Sequence, residues 1–465
     1  MITEDDRVKK AQPAGISPLM QELSRYIAGA RRRKLPKAVV ARAKNHIVDT
    51  VAAILSGSRL LPGKKVIAYV KPLGGARDAG IIGTRHVTTV MNAALANGTC
   101  GHADETDDTH PPTRSHPGTS VLPAALAIAE KHALSGEQLI RAVVLGYDIC
   151  ARTLMALNTR KIVPDGRHAG ATGQVYGAMA AAAALLNLDA RQVRYALSYT
   201  FEQTAGVTTM YRDTEHIEKA YAMGGMPAHN GAQAALMAAA GFTGVEDIFS
   251  GEPNFFSILS PEGEPAVLTR GLGRDYEIMR GGIKRWSIGG PIQAPMHVLH
   301  EMIRQHGIRA GDVKKLVVGV PQEQLEVVDK REMVDISLQH LLAVMLVDGT
   351  MSFAAAHDAA RVRDPAVLKI KRLIQAVADA SIPNAVRGWR SRIAITLKDG
   401  RTLEHETLAA KGTAENPLTR EDVTEKSLDL MAPALGKKRS LALIDALYGL
   451  EHIRDVRILR RLYSA

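Results

Sequence analysis

Helical periodicity, repeated from one segment to the next with few breaks, constrains this chain more than any other feature. Val39–Leu55, Val87–Gly98, Ser120–Ala133, Gly136–Met155, Gly170–Leu186, Ala190–Gly206 and His229–Ala240 each have the length and apolar spacing of a helix. Ser135-Gly136 and Asn187 to Asp189 supply breaks between them. Within Gly170–Leu186, Gly170, Gly173 and Gly177 recur at spacings of three and four and share one face. Residues without a side chain let a second backbone approach closely there, which predicts a central, buried helix. Aromatic residues make up only 4% of the chain, while glycine supplies 40 of its 465 residues. Close helix packing is therefore expected rather than an aromatic-rich β-sandwich.

The texture changes near Gly271. Ile292–Gln305 has helical spacing, but Lys314–Val320 is a β-rich run that ends at Pro321. Arg392–Leu397 alternates apolar and polar residues, and Lys398-Asp399-Gly400-Arg401 makes a hairpin turn into Thr402–Leu408. Leu338–Leu346 and Pro365–Ala378 read as helices between these strands, and the chain is helical again after about Gly412. The expected fold class is mainly α. A large all-helical domain, residues 1–270 plus 412–465, carries a smaller α+β lid domain, 271–411, inserted before the C-terminal helices.

Composition narrows the function classes. Hydrophobic residues are 46% and charged residues 23%, the balance of a globular protein rather than a disordered chain. Met1 to Gly15 is polar and carries Asp5, Asp6 and Pro13, unlike a signal peptide, and the longest apolar run, Ala178 to Leu186, is too short to cross a bilayer. A cytoplasmic protein with no membrane partner is expected. The formal charge is +11, yet Arg31-Arg32-Arg33-Lys34 and the Arg454, Arg457, Arg460, Arg461 cluster lack interleaved aromatics. With no zinc-finger, RNA-recognition or basic-zipper pattern, a nucleic-acid partner is not expected. Excess positive charge also serves to attract small anionic substrates. The two cysteines, Cys100 and Cys150, are too few for a disulfide framework or a cubane iron–sulfur cluster.

One stretch concentrates chemistry. From His102 to Gly118, seventeen residues hold four carboxylates (Asp104, Glu105, Asp107, Asp108) and three histidines (His102, His110, His116), punctuated by Pro111-Pro112 and Pro117-Gly118. By residue type it could be an oxygen/nitrogen metal site, an acid–base site, or helix capping by Asp and Thr. Arg167-His168 precedes the glycine-rich helix, where a histidine can help bind an anion or simply mark the helix entry. Lys219 and the Gly281-Gly282-Ile283-Lys284-Arg285-Trp286 segment add cations. There is no phosphate-binding glycine loop with Lys-Ser or Lys-Thr and no nucleophile-elbow serine. In His297-Val298-Leu299-His300-Glu301 the histidines are three apart rather than four, which does not make a zinc helix.

The order and spacing of these motifs resemble the MmgE/PrpD family, which includes 2-methylcitrate dehydratase, cis-aconitate decarboxylase and iminodisuccinate epimerase. The resemblance runs from Asp49 through Asp107-Asp108-Thr109 to His116-Pro117, Arg167-His168, Lys219, Ile283-Lys284-Arg285 and Leu346-Val347-Asp348-Gly349, nearly the whole length. It implies a helical domain with a smaller α+β lid, a homodimer, and no metal or organic cofactor. It also implies a pocket for a small anionic carboxylate, with Thr109, His168, Lys219 and Lys284 binding substrate and His116, assisted by Glu105 or Asp108, as the acid–base centre. Glu105 stands where the family usually has aspartate. Gly289 replaces a histidine of decarboxylase-like members, five residues after the lid lysine. His340 replaces a tyrosine, which makes it a further catalytic candidate that titrates near neutrality. The function so implied is a cofactor-independent acid–base enzyme acting on a small di- or tricarboxylate, a 2-methylcitrate dehydratase-like hydro-lyase. The alternatives are an epimerase or isomerase that abstracts and returns an α-proton, a cis-aconitate decarboxylase-like enzyme, and a non-catalytic polycarboxylate-binding paralogue.

Overall fold

The computed structural model describes residues 15–159, 166–382 and 389–465. The polar stretch read for targeting falls almost wholly outside them. Two compact units emerge, one of Met1–Ala103, Asp108–Arg280 and Met431–Ala465, the other of Asp104–Asp107 and Gly281–Leu430. The chain is mostly helical, with a small mixed β-sheet inserted before the C-terminal helices, as its patterning predicts.

The first unit is built from α1 (Pro18–Gly29), α2 (Lys37–Gly57), α3 (Leu61–Val70), α4 (Val90–Gly101), α5 (Gly118–Lys131), α6 (Gly136–Ala156), α7 (Ala169–Leu185), α8 (Ala190–Glu202), α9 (Ile217–Ala220) and α10 (Met226–Ala239). Ser135 and Asp189, read as breaks, cap α6 and α8 with reciprocal side-chain bonds to Gln138 and Gln192. Sequence reading placed a helix at Val87. The two-residue strand β2 (Val87–Thr88) instead pairs with β1 (Ala79–Gly80), and Thr89 caps α4 one residue later.

Helix α7 is buried as its glycine stripe predicts. A Cβ on Gly173 would lie 2.3 Å from Leu154 Cγ, and one on Gly177 would lie 2.5 Å from the carbonyl oxygen of Gly146, both on α6. The two backbones touch, and only glycine permits it. Between α9 and α10 a π-helical turn, Tyr221–Gly225, brings Gly224 against Gly98 of α4, where a Cβ would lie 2.1 Å from the Gly98 oxygen. Cys100 and Cys150 are free and buried, and burial pushes both thiols up to about 12, so neither is a nucleophile at neutral pH.

The second unit carries a four-stranded sheet in the order β4-β3-β5-β6, formed by β3 (Val313–Val320), β4 (Ile374–Ala378), β5 (Ser391–Leu397) and β6 (Thr402–Thr407). Strands β3, β5 and β6 are antiparallel neighbours, with Val318 opposite Ile393 and Ile393 opposite His405. Strand β4 runs parallel to β3, so the chain crosses over through α12 (Leu338–Asp348), α13 (Phe353–His357) and α14 (Pro365–Lys371); α11 (Gln293–His306) precedes the sheet. The helix expected at Pro365–Ala378 therefore stops at Lys371. Residues 374–378 gain five paired positions on the edge of β3, which outweighs their helical propensity. Leu338, Leu341, Leu342 and Met345 pack with Val318, Ile393 and Ile395 in one core. Helices α15 (Arg420–Leu435) and α16 (Lys437–Tyr448) follow. No helix among the described residues is long and apolar enough to cross a membrane.

Gly177→Ala tests the backbone contact. Helix propensity alone favours alanine by about 1 kcal/mol. The new methyl meets a carbonyl that cannot rotate away, an overpacking cost of about 1–3 kcal/mol. A lower midpoint for the first thermal transition is expected, whereas an unchanged or raised midpoint would show that α6 and α7 can part freely.

Candidate active site

In the first unit the functional side chains gather where helix ends meet the loop at residues 108–117. Asp108 is fully buried, and three donors from three helices meet its carboxylate. His46 Nδ1 of α2 donates at 2.6 Å, the hydroxyl of Tyr147 on α6 donates to the same oxygen, and the amide of Gly118, first residue of α5, donates to the other at 3.1 Å. Gly118 is required: a Cβ there would lie 2.7 Å from Asp108 Oδ1 and 2.5 Å from Thr50 Oγ1. Burial and then the Asp108 charge hold the Tyr147 phenol well above its ordinary pKa, so it remains a donor.

The carboxylate of Asp108 is thus engaged away from His116. Its main-chain carbonyl is not: it accepts from His116 Nδ1 at 2.9 Å. A carbonyl only accepts, so Nδ1 carries the hydrogen, and a neutral His116 has its basic lone pair on Nε2. His116 is half-buried, and the ring of His102 meets it edge-on at 4.9 Å. His216 follows at 5.4 Å from His102, in a left-handed backbone conformation (φ 61°) that non-glycine residues seldom adopt. Gln174 of α7 accepts from the His116 amide at 3.3 Å and donates to Thr119 Oγ1 at 3.1 Å and to the Met223 carbonyl.

His168 caps α7. Its Nδ1 accepts from the amide of Ala171 at 3.3 Å and its Nε2 lies 2.9 Å from the Tyr211 hydroxyl. Burial first, then His116, His102 and Lys219, push its pKa down to about 3. His168 is therefore neutral at pH 7, a dipolar donor rather than the cation a carboxylate site would favour. The same influence places Lys219, on α9, within electrostatic reach of these histidines. Thr109 is buried and donates to the Ser115 carbonyl at 3.3 Å, inside its own loop.

The second unit holds a charge cluster built on residues 104–107. Lys284, 1% exposed, lies 3.3 Å from Glu105 and 3.5 Å from Asp107. Burial pulls its ammonium down, but Asp107 and Glu105 outweigh burial and hold its pKa above the ordinary lysine value. Lys426 Nζ donates to the Thr106 carbonyl at 2.9 Å, and His357 Nε2 lies 2.9 Å from Asp104. Asp104 thus meets His357, Glu105 and Asp107 share Lys284, and the Thr106 carbonyl among them receives Lys426. Glu105, read as a partner of His116, is here the counterion of Lys284. His340 on α12 is 2% exposed, and burial, reinforced by Lys371 and Arg361, pushes its pKa below the ordinary histidine value. The imidazole that stands in place of the tyrosine is thus biased towards its neutral form, with Lys371 and Arg361 as its charged neighbours. Gly289 has an ordinary backbone (φ −52°, ψ 142°), and a Cβ there would lie 3.0 Å from Ile336 Cγ2.

Sequence reading did not single out His46, Tyr147, Gln174, Tyr211, His357 or Lys426. Gln174 alone left a usable signal, as a lone amide in a helix of glycine and alanine. The others act through pairings distant in sequence.

His357 offers a direct check on the charge cluster. Its pKa stands at about 9: burial lowers it, but Asp104 and then the Phe353 carbonyl, accepting from Nδ1, raise it by more. Raised above the unfolded value of about 6.5, it contributes stability that is complete below that pH and is lost as pH climbs through about 9. NMR titration should find His357 charged at pH 7.5, and Asp104→Asn should drop its pKa below 6.5, because burial then acts with little opposition. A wild-type ring that is neutral at pH 7.5 would contradict the pairing.

Known proteins place these residues in context. Residues 21–268 match the MmgE/PrpD N-terminal domain, and residues 286–450 match the MmgE/PrpD C-terminal domain. The chain is 25% identical to the cis-aconitate decarboxylase of Homo sapiens, over 96% of its own length and 95% of that protein. It is 24% identical to the cis-aconitate decarboxylase of Mus musculus, over 96% and 93%. It is 23% identical to the cis-aconitate decarboxylase-like protein oryM of Aspergillus oryzae, over 95% and 96%. With both domains matched in order over nearly the whole length, the chain belongs to the MmgE/PrpD family.

Proposed function

We propose that this protein is an acid–base lyase acting on a small di- or tricarboxylate, with decarboxylation of a cis-aconitate-like substrate its leading activity. The observation that carries the acid–base reading is His116, half-buried and held by the Asp108 carbonyl with Nε2 as its basic nitrogen. Decarboxylation stands ahead of the dehydration expected from sequence because the relatives that match end to end are named cis-aconitate decarboxylases.

The chemistry needs one proton relay and compensation for negative charge. Loss of CO2 leaves an electron pair on the adjacent carbon, delocalised into the neighbouring unsaturated acid. Protonated Nε2 of His116 then supplies the proton that completes the new C–H bond. Lys219 balances a substrate carboxylate, with Thr109 and His168 as hydrogen-bonding partners. Since His168 is neutral, lysine must supply the full positive charge.

A second reading, dehydration of a 2-methylcitrate-like substrate, is favoured by Gly289. That position lacks the side chain which the resemblance assigns to decarboxylase-like members, and a Cβ there would already press on Ile336 at 3.0 Å. In that reaction Nε2 removes the α-proton, and hydroxide leaves with a proton from an acid.

NMR of reactions in deuterated water separates these outcomes. With cis-aconitate, CO2 release and one deuterium in the product are expected. Water loss from 2-methylcitrate without CO2 would establish the second reading, and inversion at the α-carbon of iminodisuccinate would establish an epimerase. No turnover and no exchange with any of these acids would overturn the acid–base reading. On the substrate so found, Lys219→Ala should raise KM and lower kcat, a combined loss of roughly 100- to 1,000-fold, because the charge it balances grows in the transition state. Unaltered kinetics would remove Lys219 from the site.

A further inference from the structure

Asp108 combines two features that are seldom found on one residue. Its carboxylate is wholly withdrawn from water, with one oxygen shared by His46 Nδ1 and the Tyr147 hydroxyl and the other held by the Gly118 amide. Its carbonyl, a few bonds away, is the group that orients His116. Three helices therefore grip the side chain of the residue whose main chain sets the tautomer of the acid–base histidine.

We infer that His46, Asp108 and Tyr147 are positioning residues for His116, acting through the Asp108 backbone, and that the Asp108 carboxylate carries no proton in the reaction. In a usual histidine–carboxylate pair the carboxylate itself orients the ring and places a full charge beside it. Here the orienting partner is an uncharged carbonyl, and the carboxylate is spent fixing where that carbonyl points. Removing a donor from the carboxylate should let the loop at residue 108 shift, and His116 would then sample the tautomer with its hydrogen on Nε2. The inference rests on His116 as the acid–base centre, but its first readout does not require turnover.

The test uses the intact protein with 15N-labelled histidine, His116→Gln serving to assign the ring signals. In its neutral form the wild-type His116 ring should show a protonated Nδ1 and an unprotonated Nε2. The opposite tautomer would overturn the inference outright. His46→Ala should mix the tautomers and lower kcat by roughly 10- to 100-fold, the range seen when partners that orient metal-bound histidines are removed. KM should stay within about twofold, since substrate contacts are untouched. His46→Asn, whose amide nitrogen can occupy the place of Nδ1 and donate to Asp108, should restore both tautomer and rate. If folded His46→Ala keeps a single tautomer and wild-type kcat, or if His46→Asn rescues neither, the positioning role is excluded. Should His46→Ala fail to fold, the wild-type tautomer and His46→Asn still decide. A correct tautomer without turnover on any carboxylate would instead count against the proposed function.

Discussion

Backbone-to-backbone contact at glycine is the constraint on which the helical unit depends. Gly146 meets Gly177, Gly173 meets Leu154 and Cys150, and Gly98 meets Gly224. Gly146 and Gly173, like the tightly packed Gly118, are each followed by a polar residue of the site region or one that supports it: Tyr147 after Gly146, Gln174 after Gly173, Thr119 after Gly118. Close approach leaves no room for slack, so a polar residue one step beyond a touching glycine inherits a fixed position. Packing density, rather than a dedicated loop scaffold, orders the groups around His116.

Electrostatics imposes a second condition. The charged side chains of Asp104, Glu105, Asp107, Lys284, His357 and Lys426 are all buried or nearly so, and each is costly alone. The set balances, three against three. Lysine 284 therefore cannot be regarded as a bare cation awaiting a substrate. Any carboxylate it binds must compete with, or share it with, Glu105 and Asp107. Replacing Glu105 by the aspartate usual in the family would shorten one arm of that competition by a methylene.

How much of this could be read from the sequence depends on range. Helices with a clear period, such as α6 and α7, were legible because their apolar spacing and their caps at Ser135 and Asp189 are local. The strand at 374–378 was not, because what makes it a strand is its partner β3, more than fifty residues earlier. The residue types of the site were legible as a cluster of histidines and acids at 102–118. Their division was not: Asp108 turned inward to His46 and Tyr147, while the four residues before it joined a different unit. The charge states were equally hidden, since the neutrality of His168 and the charge on His357 follow from burial and from neighbours that spacing does not reveal.

The tetrapeptide Asp104–Asp107 has one more consequence, for folding. It belongs to the second unit, yet it is made some 170 residues before the rest of that unit emerges. A nascent second unit comprising residues 281–430 alone would have to bury Lys284 without Glu105 and Asp107, and His357 without Asp104. Its consolidation therefore depends on a strip of chain that already exists when the rest of the unit emerges. The smaller unit is thus discontinuous in sequence, completed by four residues made long before the rest of it.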